Sequence, residues 1–342
     1  MRASGVGALT LPDLVELRDW LLDLQAEIQP RVGRALQQQA SEVLASVARE
    51  DSSDTIYELD RGLDEIPLER CADLGERRPF LLIAEGGRHV FPAGADEADA
   101  AFRLIVDPLD GTRGIMYDKR SAWTLAAVAP NRGPATSLSD IVLAVQTEVP
   151  TSKQHLADTL WAIWGRGARA TRRNLLTGEE RPFVPRPSRA TDLSHGFAML
   201  SKFFPGGKAV AAEIEEQLYA RLESLVCADR VRVFDDQYIS TGGQLYELAV
   251  GHDRFNGDIR AALMAAPGRA AYPPGLSVHP YDICTELIAH EAGVIVTDLH
   301  GQPLRDPLSE DANVSWLAYA NGYLQARIQP ILQELFSEYG LL

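Results

Sequence analysis

The chain is short of cysteine, of basic residues and of long apolar runs, and each shortage excludes something. Only Cys71, Cys227 and Cys284 occur among 342 residues. An odd number at long spacings offers neither a disulfide framework nor a zinc pattern. A reducing, cytoplasmic setting is the expectation. Bases are outnumbered, 33 Lys and Arg against 48 Asp and Glu, for a net charge of −15. A duplex-binding protein presents a basic face, so nucleic-acid polymers are not expected partners. No apolar run is long enough to cross a bilayer, and residues 1–11 carry a single base and no long apolar stretch. Neither a membrane span nor a signal peptide is therefore expected. Internal repeats and low-complexity blocks are also lacking.

What is present suffices for a substantial core: 46% of the residues are hydrophobic, enough for one large domain or two smaller ones. Leu14, Leu17, Leu21, Leu24 and Ile28 recur at helical spacing, and Pro30 is expected to kink or break that helix. A second helical stretch over 32–47 places Leu36, Ala40, Val43 and Val47 on one side, as core. The apolar runs 80–84, 104–106, 123–129, 141–145 and 160–164 read as strands. Residues 169–194 read as a turn and connection, and 261–276 as a long surface loop. Helices are expected over 210–225, 244–249, 282–292 and 325–336, and strands over 294–297 and 318–320. Interleaved strands and helices make the class mixed α/β (α+β). The expected boundary lies near residue 190, between an N-terminal half (1–190) and a C-terminal half (191–342).

The sharpest local feature is Asp107-Pro108-Leu109-Asp110-Gly111-Thr112, which follows an apolar strand. Pro108 fixes a backbone angle and Gly111 permits a tight turn. Two carboxylates converging there repel each other unless a cation neutralises them. Oxygen-only ligands, with the Leu109 carbonyl between them, suit Mg²⁺ or Mn²⁺ better than zinc. Gly111 and Thr112 offer backbone N–H groups and a hydroxyl to a phosphate. Glu85 ends the run 80–84 beside Gly86-Gly87, and Asp282 opens a helix. Each of these two, taken alone, reads as an ordinary surface or helix-start acid. An acidic chain repels an anionic substrate, and a bound cation reverses the field locally.

Taken in order, these motifs resemble the inositol monophosphatase and fructose-1,6-bisphosphatase superfamily of lithium-sensitive, Mg²⁺-dependent phosphatases. Residues 107–112 match its central signature without a mismatch. Tyr281-Asp282 followed by Glu291-Ala292-Gly293 resembles its second signature, with Tyr for the usual Trp. Thr55 to Asp60 resembles an earlier Thr-x-x-Asp element at longer spacing, and 160–168, with Gly-x-Gly-Ala, another recurrent segment. One departure is Glu85-Gly86, where the family usually has Glu-Glu. The resemblance implies a layered αβαβα sandwich. It implies two or three Mg²⁺ ions, with Mn²⁺ as a substitute, on Glu85, Asp107, the Leu109 carbonyl, Asp110 and Asp282. Thr112, Asp60 and Glu85 are then catalytic, serving a metal-activated water that hydrolyses the phosphate monoester of a small metabolite, such as an inositol or sugar phosphate. Fructose 1,6-bisphosphate, a 3′-phosphonucleotide or an amino-alcohol phosphate are alternative substrates, and a catalytically inactive ligand-binding relative is a further alternative. Gly111, Thr112, Arg113, Thr241, Gly242 and Arg260 are the expected substrate contacts. Arg113 and Lys119-Arg120 form either a solvated basic cluster or a contact for a second phosphate or another acidic group of the substrate. A homo-oligomer is implied as well.

Overall fold

The computed structural model describes residues 9–50, 55–63, 65–85, 87–222, 230–266 and 277–342. Gly86, Cys227 and most of the expected loop at 261–276 lie outside them. The N-terminal elements are α1 (Leu11–Gln38), α2 (Ser41–Leu44), β1 (Val47–Glu50), β2 (Thr55–Tyr57), α3 (Glu65–Gly75), β3 (Phe80–Ala84), β4 (Gly87–Phe91), β5 (Phe102–Asp110), α4 (Thr112–Ile115), β6 (Ala122–Pro130), β7 (Leu143–Val149), β8 (Leu156–Ile163), β9 (Ala168–Asn174) and β10 (Glu180–Phe183). The rest are β11 (Gly196–Leu200), α5 (Lys208–Arg221), β12 (Val233–Phe234), α6 (Thr241–Ala249), β13 (Asp253–Asp258), α7 (Arg260–Ala265), α8 (Pro280–Ile283), α9 (Glu286–Ala292), β14 (Ile295–Thr297), β15 (Trp316–Tyr319) and α10 (Gly322–Glu338).

Eight strands form one sheet in the order β10-β9-β8-β7-β6-β5-β3-β4, antiparallel except for the β3–β5 pair. Five form a second, β12-β11-β13-β15-β14, in which β11 runs parallel to both neighbours. The chain passes from the first sheet to the second between Phe183 and Gly196. Helices α1 and α3 cover the outer face of the large sheet, α6, α8 and α9 lie between the sheets, and α5 and α10 cover the far face of the small one. The result is a layered αβαβα sandwich. Side chains alternate along the central strands β3, β5, β6 and β7, and both of their faces are covered. Leu104, Val106, Ala126 and Val128 pack with α1, while Ile105, Leu125 and Ala127 join the core that also holds Leu200, Phe255 and Trp316 of the small sheet. Two-sided burial is why these strands read as continuous apolar runs rather than alternating ones.

The structure departs from the sequence reading in several places, among them the helix expected over 282–292, which is split into α8 and α9. Helix α1 runs unbroken through Pro30. The residues flanking it, Leu24, Ile28 and Val32, are buried, and α1 packs along β7, so tertiary packing outweighs the lost N–H. The second stretch is divided: residues 32–38 are helical as the end of α1, 41–44 form α2, Val43 and Val47 are each 51% exposed, and Val47 opens a strand. Residues 169–194 hold the β9–β10 hairpin at the sheet's edge, where most side chains are exposed and the arginine-rich sequence lacks an apolar signal. The stretch expected to begin a loop at 261 instead contains α7, after which 267–276 lie outside the described residues.

Candidate active site

Residues three apart in a regular strand point to opposite faces. Asp107 and Asp110 escape that rule because β5 bulges. Asp107 pairs with Leu125 of β6, and Asp110 with Trp123, so β5 spends one more residue than its partner. Pro108, which cannot donate to the ladder, sits inside the bulge, and its carbonyl accepts a hydrogen bond from the buried Thr124 hydroxyl at 3.0 Å. Gly111 then takes φ +98°, a conformation open to glycine, and α4 begins.

The bulge and the start of α8 bring three carboxylates together. One oxygen each from Asp107, Asp110 and Asp282 lie within 4.8 Å of one another. Asp107 accepts from the Leu109 N–H at 2.9 Å. Asp110 accepts from the Ser240 hydroxyl at 2.8 Å and the Gly242 N–H at 2.6 Å. Asp282 accepts from the His279 N–H at 2.6 Å, which fixes it at the head of α8. Asp107 and Asp110 are 4% and 8% exposed. Burial, and then repulsion from Asp110, Asp282 and Glu85, pushes the Asp107 carboxyl well above its usual range. Burial and the Asp282 charge push Asp110 up to about 8, against the pull of its Ser240 and Gly242 hydrogen bonds. Buried, mutually repelling, all-oxygen donors fit a hard divalent cation.

Glu85, just after β3, and Leu109 line the same cleft of about 90 Å³ beside the triplet. The Thr112 hydroxyl lies 2.8 Å from Asp60 Oδ1 and 2.9 Å from the Leu109 carbonyl. Asp60 is anchored in turn by the Tyr57 N–H at 3.0 Å. Gly111, Thr112, Arg113, Thr241 and Arg260 also line the cleft. Gly242 sits behind Asp110: a Cβ there would lie 2.5 Å from Leu125 Cδ2 and 3.0 Å from Asp110 Oδ2. Only a glycine lets the α6 backbone approach the aspartate so closely. Arg120 turns away from this cleft, donating to Asp236 at 2.6 Å and Glu247 at 3.0 Å and lying 4.0 Å over the Tyr238 ring. Lys119 is exposed.

Sequence reasoning did not single out Tyr57, Phe203 or Phe204 for the cleft. His279 lines the cleft and stacks on Tyr281 at 5.2 Å. The available signal for the phenylalanines was an aromatic pair set directly before Pro205-Gly206-Gly207, a turn with no core to fill. Two recurrent motifs turn out to brace the site. Glu291 accepts from the Gly165 and Gly167 N–H groups at 2.7 and 2.6 Å, tying α9 to the β8–β9 turn. Thr285 donates to Gln146 at 2.9 Å, and Gln146 to the Gly242 carbonyl at 2.8 Å, a buried relay from the Asp282 segment to the helix behind Asp110.

A layered sandwich with an acidic triplet and a hydroxyl–carboxylate pair in one cleft defines a class, the phosphatases of the sugar-phosphatase fold. Within it, the chain belongs to the inositol monophosphatase family, which matches residues 18–337. Its fold is similar to that of a Pyrococcus horikoshii hypothetical protein described as having similarities to inositol-1 monophosphatase: 18% identity, TM-score 0.61, covering 93% of this chain and 98% of that one. Leishmania major fructose-1,6-bisphosphatase aligns at 12% identity and TM-score 0.64, covering 93% of both chains. The extragenic suppressor protein suhB of Bartonella henselae aligns at 17% identity and TM-score 0.58, covering 92% of this chain and 98% of that one. Comparison with curated proteins gives no match.

Proposed function

We propose that this protein hydrolyses the phosphate monoester of a small metabolite with Mg²⁺, or Mn²⁺ in its place, held by Asp107, Asp110 and Asp282 with Glu85 and the Leu109 carbonyl. The observation that carries the reading is the carboxylate triplet within 4.8 Å in the cleft that also holds the Thr112–Asp60 pair. When bound, the cation supplies charge neutralisation for the phosphoryl oxygens and lowers the pKa of water. The remaining work falls to the chain. The Thr112 hydroxyl, donating to Asp60 Oδ1, presents its lone pair outward and orients the attacking water. Asp60 Oδ1 is placed to receive the proton that passes through that hydroxyl. Ser240, Gly242 and His279 hold the carboxylates in place, so no reorganisation is needed at the moment of reaction.

The reading includes the cytoplasm as compartment, supported by the two buried free thiols Cys71 and Cys284. It also includes a homo-oligomer, which light scattering tests directly. No helix among the described residues is long and apolar enough to cross a membrane. The functional test is inorganic phosphate release from a panel of polyol, sugar and nucleotide phosphates with Mg²⁺ and with EDTA. Metal-dependent release from one or two compounds is the expected result. Release from none, with the protein folded and Mg²⁺ bound, contradicts the reading.

A further inference from the structure

Gln146 stands in the middle of β7 and is 2% exposed. Its cross-strand partners are Leu125 of β6 and Leu160 of β8, both buried in the core between the two sheets. An amide in an apolar layer costs stability unless hydrogen bonds replace its water. Both ends of this amide are used. Its Nε2 donates to the Gly242 carbonyl at 2.8 Å, and its Oε1 accepts from the Thr285 hydroxyl at 2.9 Å.

Both partners support the acidic triplet. Gly242 is the residue whose N–H donates to Asp110 at 2.6 Å. Thr285 lies three residues after Asp282, buried at the junction of α8 and α9. It occupies the position before α9 where a threonine usually caps the helix, yet its side chain makes no such cap. The hydroxyl goes to Gln146 instead. One side chain therefore links the segment behind Asp110 to the segment that carries Asp282. Gln25 of α1 is the counter-example on the same strand. It is buried, its Nε2 donates to the Val145 carbonyl at 3.0 Å from the other face of the sheet, and its Oε1 has no hydrogen-bond partner among the described residues. That amide ties helix to sheet and reaches no part of the cleft.

Bare carboxylates that converge push one another apart, so their spacing depends on what holds the segments beneath them. Mg²⁺ demands near-ideal octahedral geometry at about 2.0–2.1 Å, whereas Ca²⁺ accepts irregular geometry at about 2.3–2.6 Å. Spacing therefore matters more to the smaller ion. We infer that Gln146 is a positioning residue of the cation site: by clamping Gly242 to Thr285 it holds Asp110 and Asp282 at the separation that Mg²⁺ requires. The inference rests on the metal-dependent reading above and adds the group that tunes the site.

The test is calorimetric binding of Mg²⁺ and of Ca²⁺, each alone, to the wild type, Gln146→Met, Thr285→Val, Thr285→Ser and Gln25→Met, with denaturant midpoints measured beside it. Gln146→Met and Thr285→Val are expected to weaken Mg²⁺ binding by about 10–100-fold, the usual effect of removing a group that orients a metal ligand. Ca²⁺ binding is expected to change by less than about threefold, because its geometry is the more tolerant. Thr285→Ser keeps the hydroxyl and restores the wild-type ratio of the two affinities. Gln25→Met lowers the midpoint and leaves both affinities unchanged, which separates positioning from a general loss of stability. If Gln146→Met does not fold, Thr285→Val, which exchanges one hydroxyl for a methyl, decides the question. Mg²⁺ binding that survives the substitutions, an equal loss of both cations, or the same change in Gln25→Met overturns the inference and leaves the metal-dependent reading standing. A wild type that binds neither cation defeats that reading and the inference together.

Discussion

Two aspartates three residues apart belong on opposite faces of a strand, and the whole site depends on β5 breaking that rule between Asp107 and Asp110. The identity of these residues was legible in the sequence, because Pro and Gly around paired acids mark a special turn. The bulge that aims them was not, since it depends on the register against β6. The same holds for Gly242, which read as a small residue facing substrate and instead lets α6 close on Asp110. Gly242→Ala places a methyl 2.5 Å from Leu125 Cδ2 in the core. It is expected to cost about 1–3 kcal/mol in urea denaturation and to weaken Mg²⁺ binding, because the Gly242 N–H to Asp110 bond must shift. Thr112→Ala removes the hydroxyl that donates to Asp60. It is expected to lower kcat by roughly 10²–10⁴-fold with Mg²⁺ affinity largely retained, while Thr112→Ser keeps most activity. Steady-state kinetics beside calorimetry separates the two effects.

At the scale of elements, what the sequence makes legible is what burial makes monotonous. The run Phe80–Ala84 reads as a strand and is one, residue for residue, because both of its faces are covered. Edge elements escape for the opposite reason. Strands β9 and β10 carry Arg169, Arg172, Arg173 and Arg181 at the margin of the sheet, where Arg172 pairs with Asp158 at 2.7 Å rather than filling a core. Long-range braces escape too: nothing local in Glu291 or Gly165 announces their hydrogen bonds across 126 positions. Pro30 does not break α1, because packing there outweighs local propensity. It is exposed inside α1, so replacing it costs no buried contact. Pro30→Ala returns the N–H that the Ala26 carbonyl lacks. It is expected to stabilise the protein, by up to about 3 kcal/mol, as a rise in thermal midpoint at unchanged activity. A fall in midpoint would show that the ring itself is needed.

At the scale of the molecule, this acidic protein stores several of its acids in dry places. Asp253, at the start of β13, is buried, and its carboxyl is pushed up to about 6 by that burial despite the Asn256 amide that donates to it at 2.7 Å. The folded state therefore holds this proton more tightly than the unfolded chain, whose value lies near 3.8. The group's contribution to stability is fully present below pH 3.8 and is lost as pH rises through about 6, beyond which it no longer changes. Asp253→Asn keeps an acceptor for Asn256 and removes the titration. The variant is expected to exceed the wild type in stability at pH 8 and to lose that advantage near pH 4, as denaturant midpoints at the two values check. The acids of the triplet differ from Asp253 in number and convergence: three carboxylates meet at one spot, which a single buried acid needs no cation to explain.

The most direct test of that convergence is phosphate release by the wild type and by Asp110→Asn, each with Mg²⁺ and after EDTA, on the best substrate of the panel. The account predicts turnover only in the wild type with Mg²⁺, with the variant folded by circular dichroism and nearly inactive in both conditions. Wild-type turnover that survives EDTA, or an Asp110→Asn variant as active as the wild type, would contradict it.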